Sequence, residues 1–237
     1  MNRWNDIELF PMYQPIVHFE YPQNVFGYED TIRGRAWNGR IISPAKLFAW
    51  AEEDDEISKL DRYARQIAMQ KAEGLPDHKL LFLNCHGESL KEGHVFEAIE
   101  NYRFTDRIVL EITEQTRIDD IHHIQGVLKD LRKRGMKIAL DDFGAGFSNF
   151  WLIEALEPHF VKLDKILTAH VDQTQQACRV IEGMVLFAEK TKTILIAEGI
   201  EREEQADILR ELGIQYGQGF YFGYPFEVSE KRMVNTK

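Results

Sequence analysis

KIALDDFGAGFSN, residues 137–149, is a short apolar run that ends in two adjacent carboxylates and a glycine-rich turn. Ile138, Ala139 and Leu140 lack the polar alternation of a half-exposed strand, so this strand is expected to be covered on both faces, as in a parallel sheet wrapped by helices. Asp141 and Asp142 then emerge at its C-terminal tip. Two ionised carboxylates about 4 Å apart repel by roughly 4 kcal/mol at an effective dielectric near 20. Either one protonates or a cation sits between them, and the cation is the expectation. Successive strand residues face opposite sides, so both carboxylates reach one ion only if the chain turns there, which Gly144 and Gly146 permit.

Three other readings compete for this stretch. Asp142-Phe143-Gly144 matches the magnesium-binding tripeptide of protein kinases, but no catalytic loop or nucleotide-covering glycine loop precedes it. Gly144-Ala145-Gly146 matches the start of a dinucleotide fingerprint, but Asn149 stands at the third glycine position, and the acids precede the glycines instead of following them. The bland alternative is a β-to-α turn with an aspartate capping the next helix.

The chain has 237 residues, a length at which single α/β barrels are common. Its formal charge of -10 argues against general binding to DNA or RNA, which needs clustered Lys and Arg. A small phosphorylated ligand remains open, because metal ions and a few placed cations meet its charge without a basic surface. Cys85 and Cys178 have no paired spacing, so a disulfide framework or thiolate zinc site is not expected and a reducing cytoplasm fits. Arg3, Asp6 and Glu8 stand where a signal peptide needs an apolar core, and no apolar run approaches about 18 residues, so no membrane contact is expected.

Residues 12–19 and 25–33 are β-like runs whose spacer, Glu20 to Asn24, is too short for a helical crossover, so the pair is expected to be antiparallel. Ser43-Pro44 opens a helix through about Glu56, and a second follows from about Ile57 to Glu73. From Lys79 onward, strand-like runs at 80–84, 108–112, 138–142, 160–164, 194–198 and 219–222 alternate with helices. The clearest helices are Asp119 to Arg134, Gln175 to Lys190 and Arg202 to Leu212. With the initial hairpin this makes eight strands, and eight strands in this length favour a closed barrel over an open doubly wound sheet.

A polar residue sits where each apolar run ends: Asn84, Glu111, Asp141, Asp142, Lys162, Asp164 and Glu198, with Gln218 beside the last strand. In a barrel these tips form one rim, where sites of this architecture are built. Glu29, Thr31 and Arg33 share a strand face, with Gln14 available on the partner strand. Glu201 is ambiguous, because an acid opening a helix favours the dipole without any function. Glu29, Asn84, Glu111, Asp141, Asp142 and Glu198 form a hard-oxygen set that selects Mg2+ or Mn2+ over zinc or copper. Six candidate ligands exceed what one such ion takes from protein, which points to two ions and phosphoryl chemistry. Lys162 would then orient the attacking water, and Arg33 would clamp a phosphate oxygen. Cys85 is read as packing.

The chain resembles the EAL-domain family of bacterial cyclic di-GMP phosphodiesterases from Tyr13 almost to Pro225. The matching pieces are YQPI (13–16), GYED with IRG (27–34), the asparagine in FLNCH, LEITE (110–114), DDFGAGFSN, VKLDK (161–165), AEGIE (197–201) and QGFYFGYP (218–225). The resemblance implies a TIM-barrel-like (β/α)8 barrel with one antiparallel strand. Residues 1–237 would be one such domain, with a core of about 12–228. It also implies two Mg2+ or Mn2+ ions on Glu29, Asn84, Glu111, Asp141, Asp142 and Glu198. Lys162 and Glu201 would help position the catalytic water and metal shell, and Gln14, Arg33 and Gln218 would lie in the substrate groove. The implied reaction opens cyclic di-GMP to linear pGpG, in a homodimer coupled to the site through Phe143 to Asn149.

The signature triplet here reads Glu29-Asp30-Thr31, in which alanine and leucine are replaced. Ala145 and Phe147 stand for the usual threonine and tyrosine. Asp30 is expected to point toward the helices, with Arg62 or Arg65 as candidate partners. A receptor or protein-binding module that kept the fold without catalysis is the rival reading, and another metal-dependent barrel hydrolase is a third. The chain starts almost at its first strand and ends soon after its last, so regulation is expected from elsewhere or from parts of a longer protein.

Overall fold

The computed structural model describes residues 4, 7–91, 94–99, 102, 104–113, 121–146 and 150–228. The strands are β1 (Glu8–His18), β2 (Tyr21–Arg35), β3 (Ile41–Ile42), β4 (Leu80–Cys85), β5 (Ile108–Thr113), β6 (Lys137–Phe143), β7 (Phe160–Leu163), β8 (Ile194–Ala197) and β9 (Tyr216–Gln218). The helices are α1 (Pro44–Glu53), α2 (Ile57–Lys71), α3 (Gly87–Lys91), α4 (His94–Ile99), α5 (Ile121–Lys133), α6 (Phe150–Leu156), α7 (Lys165–Thr168), α8 (Gln175–Thr191) and α9 (Glu203–Glu211). The sheet order is β1-β9-β8-β7-β6-β5-β4-β2-β3, and a further β1–β2 pairing closes it. Eight strands thus form a TIM-barrel-like closed barrel, with β3 outside it. β1 runs antiparallel to both its neighbours, and the other barrel pairings are parallel.

The expected antiparallel first pair and both-face burial of Ile138, Ala139 and Leu140 hold, with all three fully buried. Several boundaries differ from the sequence reading. The first turn is only Phe19-Glu20, with bulges near Val17, and Pro22 sits in the exposed start of β2, where its missing donor is tolerated. The last strand is Tyr216–Gln218, not 219–222. Its aromatic run reads as β-like, but Gly219 lies so close to the Ile200 backbone that a Cβ there would collide with it, and the chain turns. α1 ends at Glu53, and Asp55 takes a left-handed φ of 58°. α9 starts at Glu203 with Arg202 at its N-cap position, so Glu201 precedes the helix and does not lie in its first turn. Asp119, Glu114 and residues 147–149 lie outside the described residues. Among the described residues no helix is long and apolar enough to cross a membrane.

The barrel interior explains where the site lies. Ile16, Phe82, Val109, Ala139, Phe160 and Ile196 form an apolar plug, with Tyr216 packed against it. Strand side chains repeat every two residues on one face. Two residues beyond each plug residue on the parallel strands stand Asn84, Glu111, Asp141, Lys162, Glu198 and Gln218. On antiparallel β1 the count runs backward from Ile16 to Gln14. On β2 the corresponding step runs from Gly27, where a Cβ would meet the Phe82 ring at 2.8 Å, to Glu29. One layer of polar side chains therefore sits directly on the plug, at the rim where barrel sites form.

Candidate active site

Lys162 occupies the middle of that layer and is fully buried. Its Nζ lies 2.7 Å from Glu198 Oε1, 2.8 Å from Glu111 Oε1, 3.0 Å from Asp141 Oδ1 and 3.3 Å from Glu29 Oε2. Yet Lys162 Nζ, both Glu111 oxygens and Asp141 Oδ1 have no aligned hydrogen-bond partner. Buried charges in this state lack the directional bonds that would make the cluster self-sufficient.

The turn that brings both aspartates inward occurs at Asp142 itself. Its φ is 56°, Gly144 follows at 106°, and the β6–β7 register slips between Leu140 and Phe143. An aspartate tolerates the left-handed region at modest cost, and glycine at none. Carboxylate oxygens consequently gather in two groups that share Asp141: Glu29, Glu111 and Asp141, and then Asp141, Asp142 and Glu198, each set lying within 4.8 Å. If all five ionise against one lysine, four negative charges remain, which two divalent ions would balance. The oxygen donors, the orphaned buried atoms and the shared carboxylate all fit a pair of hard divalent cations.

Charge at the cluster is set mainly by burial. Burial pushes the Glu198 carboxyl up to about 8 and Glu111 well above the usual range, with Lys162 pulling both down. Asp142 is pushed up to about 6, first by burial and then by the charge of Asp141. For Lys162, burial works toward deprotonation, but Asp141, Glu111, Glu198 and Glu29 together hold it charged well above the ordinary lysine value.

The remaining expected residues divide into two groups. Gln218, buried on β9, donates to Gln14 Oε1 at 3.1 Å and also to Glu29 Oε2, and Gln14 donates to the Gly223 carbonyl at 3.0 Å. Asn84 donates from Nδ2 to the Asp30 carbonyl at 3.1 Å. These join the cluster. Arg33 stands apart on the part of β2 beyond the rim and donates to the Ile32 carbonyl at 3.0 Å; burial lowers its basicity, against the fields of Asp30 and Glu29. Glu201 is exposed beside the cluster. Asp164 accepts from the Ile166 amide at 2.8 Å and caps α7.

Two hollows flank the cluster and share Glu29. One, of about 240 Å³, is lined by Gln14, Glu198, Glu201, Gln218 and Phe220. The other is a cleft of about 990 Å³ that runs past Thr31, Asn84, Asp142 and Phe48. Asp30 is 5% exposed, and its Oδ1 has no partner. Arg65, one of the two candidate partners for Asp30, donates to Asp61 and to the Asn84 carbonyl and not to that acid. The Arg65 guanidinium engages Asp61 instead, because the i,i+4 spacing on α2 brings them together. In sequence this buried pair looks like part of a solvated helix face, which charged i,i+4 residues usually mark. The signal against that was their stripe, which continues through buried Met69. Cys85 is buried, and burial pushes its thiol up to about 12, consistent with packing.

Comparison with known proteins agrees with this geometry. The profile of the EAL domain matches residues 3–225. The probable cyclic di-GMP phosphodiesterase PdeG of Escherichia coli is 30% identical over 237 aligned residues, covering 93% of this chain and 45% of PdeG. Cyclic di-GMP phosphodiesterase PdeB of Shewanella oneidensis is 29% identical, covering 92% of this chain and 26% of PdeB. The chain therefore spans less than half the length of these two curated relatives. Klebsiella pneumoniae BlrP1, solved with manganese and cyclic di-GMP, superposes with a TM-score of 0.80 at 26% identity, covering 96% of this chain and 62% of that one.

Proposed function

The chain belongs to the EAL domain family, and on that premise we propose that it is a two-metal phosphodiesterase that hydrolyses cyclic di-GMP to linear pGpG. The observation that carries this reading is the pair of carboxylate groups that share Asp141 around buried Lys162. Glu29, Asn84, Glu111, Asp141, Asp142 and Glu198 would hold two Mg2+ or Mn2+ ions, which supply an activated water and charge stabilisation for in-line displacement at phosphorus. Lys162, held charged by its carboxylates, orients that water and offsets charge as one phosphate ester bond breaks and the new P–O bond forms. Gln14 and Gln218, bonded to each other, with Gln218 also on Glu29 and Gln14 on the Gly223 carbonyl, face the smaller hollow and position the substrate. Arg33 meets a phosphate oxygen above the rim, and Glu201 steadies the water and metal shell from the solvent side.

Residues 1–237 act as one catalytic domain in this reading, in the cytoplasm and without DNA, RNA or membrane as partner. It forms a homodimer through the helices flanking Asn149, α6 among them. Phe150 and Trp151 there are about half exposed, and Phe150 makes an edge contact at 5.3 Å with Phe143, the residue after Asp142. The second reading, a cyclic di-GMP receptor without catalysis, is favoured only by the Asp30-Thr31 replacement. Incubation with cyclic di-GMP and Mg2+ or Mn2+, followed by chromatography, separates the two. Appearance of pGpG, abolished by chelation and by Asp141→Ala, is the expected result. Bound but uncleaved nucleotide would establish the receptor.

A further inference from the structure

The polar rim is not held together equally all round. The β2–β4 ladder ends at the Glu29–Phe82 pair, whereas β4 continues and pairs with β5 through Asn84–Glu111 and Cys85–Ile112. Above Glu29 the larger cleft is lined by Asp30 and Thr31 on one strand and by Asn84 and Cys85 on the other. Asn84 thus stands where β4 has lost its ladder to β2, and the backbone groups there need other partners.

Three bonds replace the ladder. Asn84 Nδ2 donates to the Asp30 carbonyl at 3.1 Å, which ties the amide across the gap and leaves its Oδ1 as the atom available to a cation. The Asn84 carbonyl accepts from Arg65 Nη1 at 3.2 Å. The His86 N–H donates to Asp61 Oδ1 at 3.2 Å. Asp61 and Arg65 are 2% and 1% exposed and form an ion pair with each other. Arg65 Nε and Nη2 have no partner, so the pair is incompletely satisfied. Buried pairs of this kind are commonly replaced by apolar side chains without loss of stability. What apolar side chains would not replace is the grip on the tip of β4.

We propose that Asp61 and Arg65 are positioning residues that hold the β4 tip from α2, so that Asn84 presents its amide oxygen to the metal pair. The proposal rests on the two-ion reading for its consequence and on the hydrogen bonds for its geometry.

The test compares the parent with Asp61→Leu/Arg65→Met by thermal unfolding, Mn2+ calorimetry and amide hydrogen exchange. The double variant is expected to unfold near the parent's temperature but to bind Mn2+ about 10-fold more weakly, the scale of losing a partner behind a metal ligand. Adding Asn84→Ala to it should cost little more, since the amide is already misplaced. Asp61→Asn alone, which keeps an acceptor for the His86 amide and leaves Arg65 on the Asn84 carbonyl, should keep most of the parent's affinity. Parent-like affinity in the double variant, or a full further loss on adding Asn84→Ala, overturns the proposal. Hydrogen exchange reads the geometry without metal: His86 should lose protection in the double variant while Leu81 and Leu83 keep theirs. Retained His86 protection also overturns the proposal. A parent that binds no Mn2+ would sink the two-ion reading alone, and the His86 amide would still decide the positioning role.

Discussion

Most neighbouring rim strands are joined by backbone pairing, including β1 with β2 and β4 with β5, whereas above Glu29 the seam between β2 and β4 is joined by side chains. Glu111, Asp141, Lys162 and Glu198 stand on four neighbouring strands of a parallel ladder, each two residues beyond a plug residue. Glu29 and Asn84 flank the place where β2 and β4 lose their pairing, and they depend on Gln218, on the Asp30 carbonyl and on the Asp61–Arg65 pair. The ladder half concentrates the charge and can tolerate distant changes. The split half opens the cleft, and small distant changes should be felt there.

The largest effects are expected from breaking the ladder half. Asp141→Ala removes the carboxylate common to both groups, and Lys162→Ala removes the only cation among the groups of the cluster. Each should lower turnover by about 10³-fold or more, on the scale of losing a central electrostatic element. Glu29→Ala and Asn84→Ala should also weaken metal binding. Glu201→Ala, at an exposed position, should leave measurable activity. Steady-state assays with Mn2+ check the order, and an Asp141→Ala protein as fast as the parent would end the two-metal assignment.

A second effect follows from the raised carboxyls. Glu198, at about 8 when folded, lies above its unfolded value near 4.5. A raised acid contributes stability that is fully present below the unfolded value and is lost as pH rises through the folded one. The metal-free protein should therefore lose stability between about pH 4.5 and 8, with Glu111 acting in the same direction. Divalent ions favour the ionised carboxylates, so the rise in unfolding temperature on adding Mg2+ should be larger at pH 8 than at pH 6. Thermal scans with and without chelator decide this, and an equal rise at both pH values would contradict it.

Legibility in the sequence followed the same division. The ladder residues were visible because each closes a local apolar run, so strand periodicity alone brings them to one rim. The antiparallel first pair was visible from a connection too short to cross over. What escaped depends on approach between distant segments. The last strand was misplaced because the close contact of Gly219 with Ile200 leaves no trace in an aromatic run that looks β-like. Glu201 was read into a helix that begins two residues later, because acids at 203 and 204 blur its start. Asp61 and Arg65 carry a local signature, a charged i,i+4 pair, that usually means solvent. Only the split between β2 and β4 gives it another meaning.

The smallest expected effect lies in the split half itself, at the replaced triplet. Burial, with the neighbouring charge of Glu29, pushes the Asp30 carboxyl well above the usual range, and Arg33 only partly offsets this. Burial thus favours the neutral form of Asp30, whose cost is that of a buried polar group with an unpaired oxygen, about 1–3 kcal/mol. Asp30→Ala should stabilise the fold by that order, with turnover nearly unchanged, because its backbone carbonyl still receives Asn84. Thr31 faces the larger cleft beside Glu29, so Thr31→Leu should restore apolar wall and tighten nucleotide binding by about 1 kcal/mol while leaving the unfolding temperature largely alone. The two substitutions thus separate stability from affinity at adjacent positions of one strand. Thermal unfolding and cyclic di-GMP titration of each single variant test this. If Asp30→Ala were destabilising, the acid would have a partner in solution that holds the split strands together. If the Thr31→Leu protein cleaved substrate that the parent only binds, the parent would be a receptor whose catalysis was lost at the triplet.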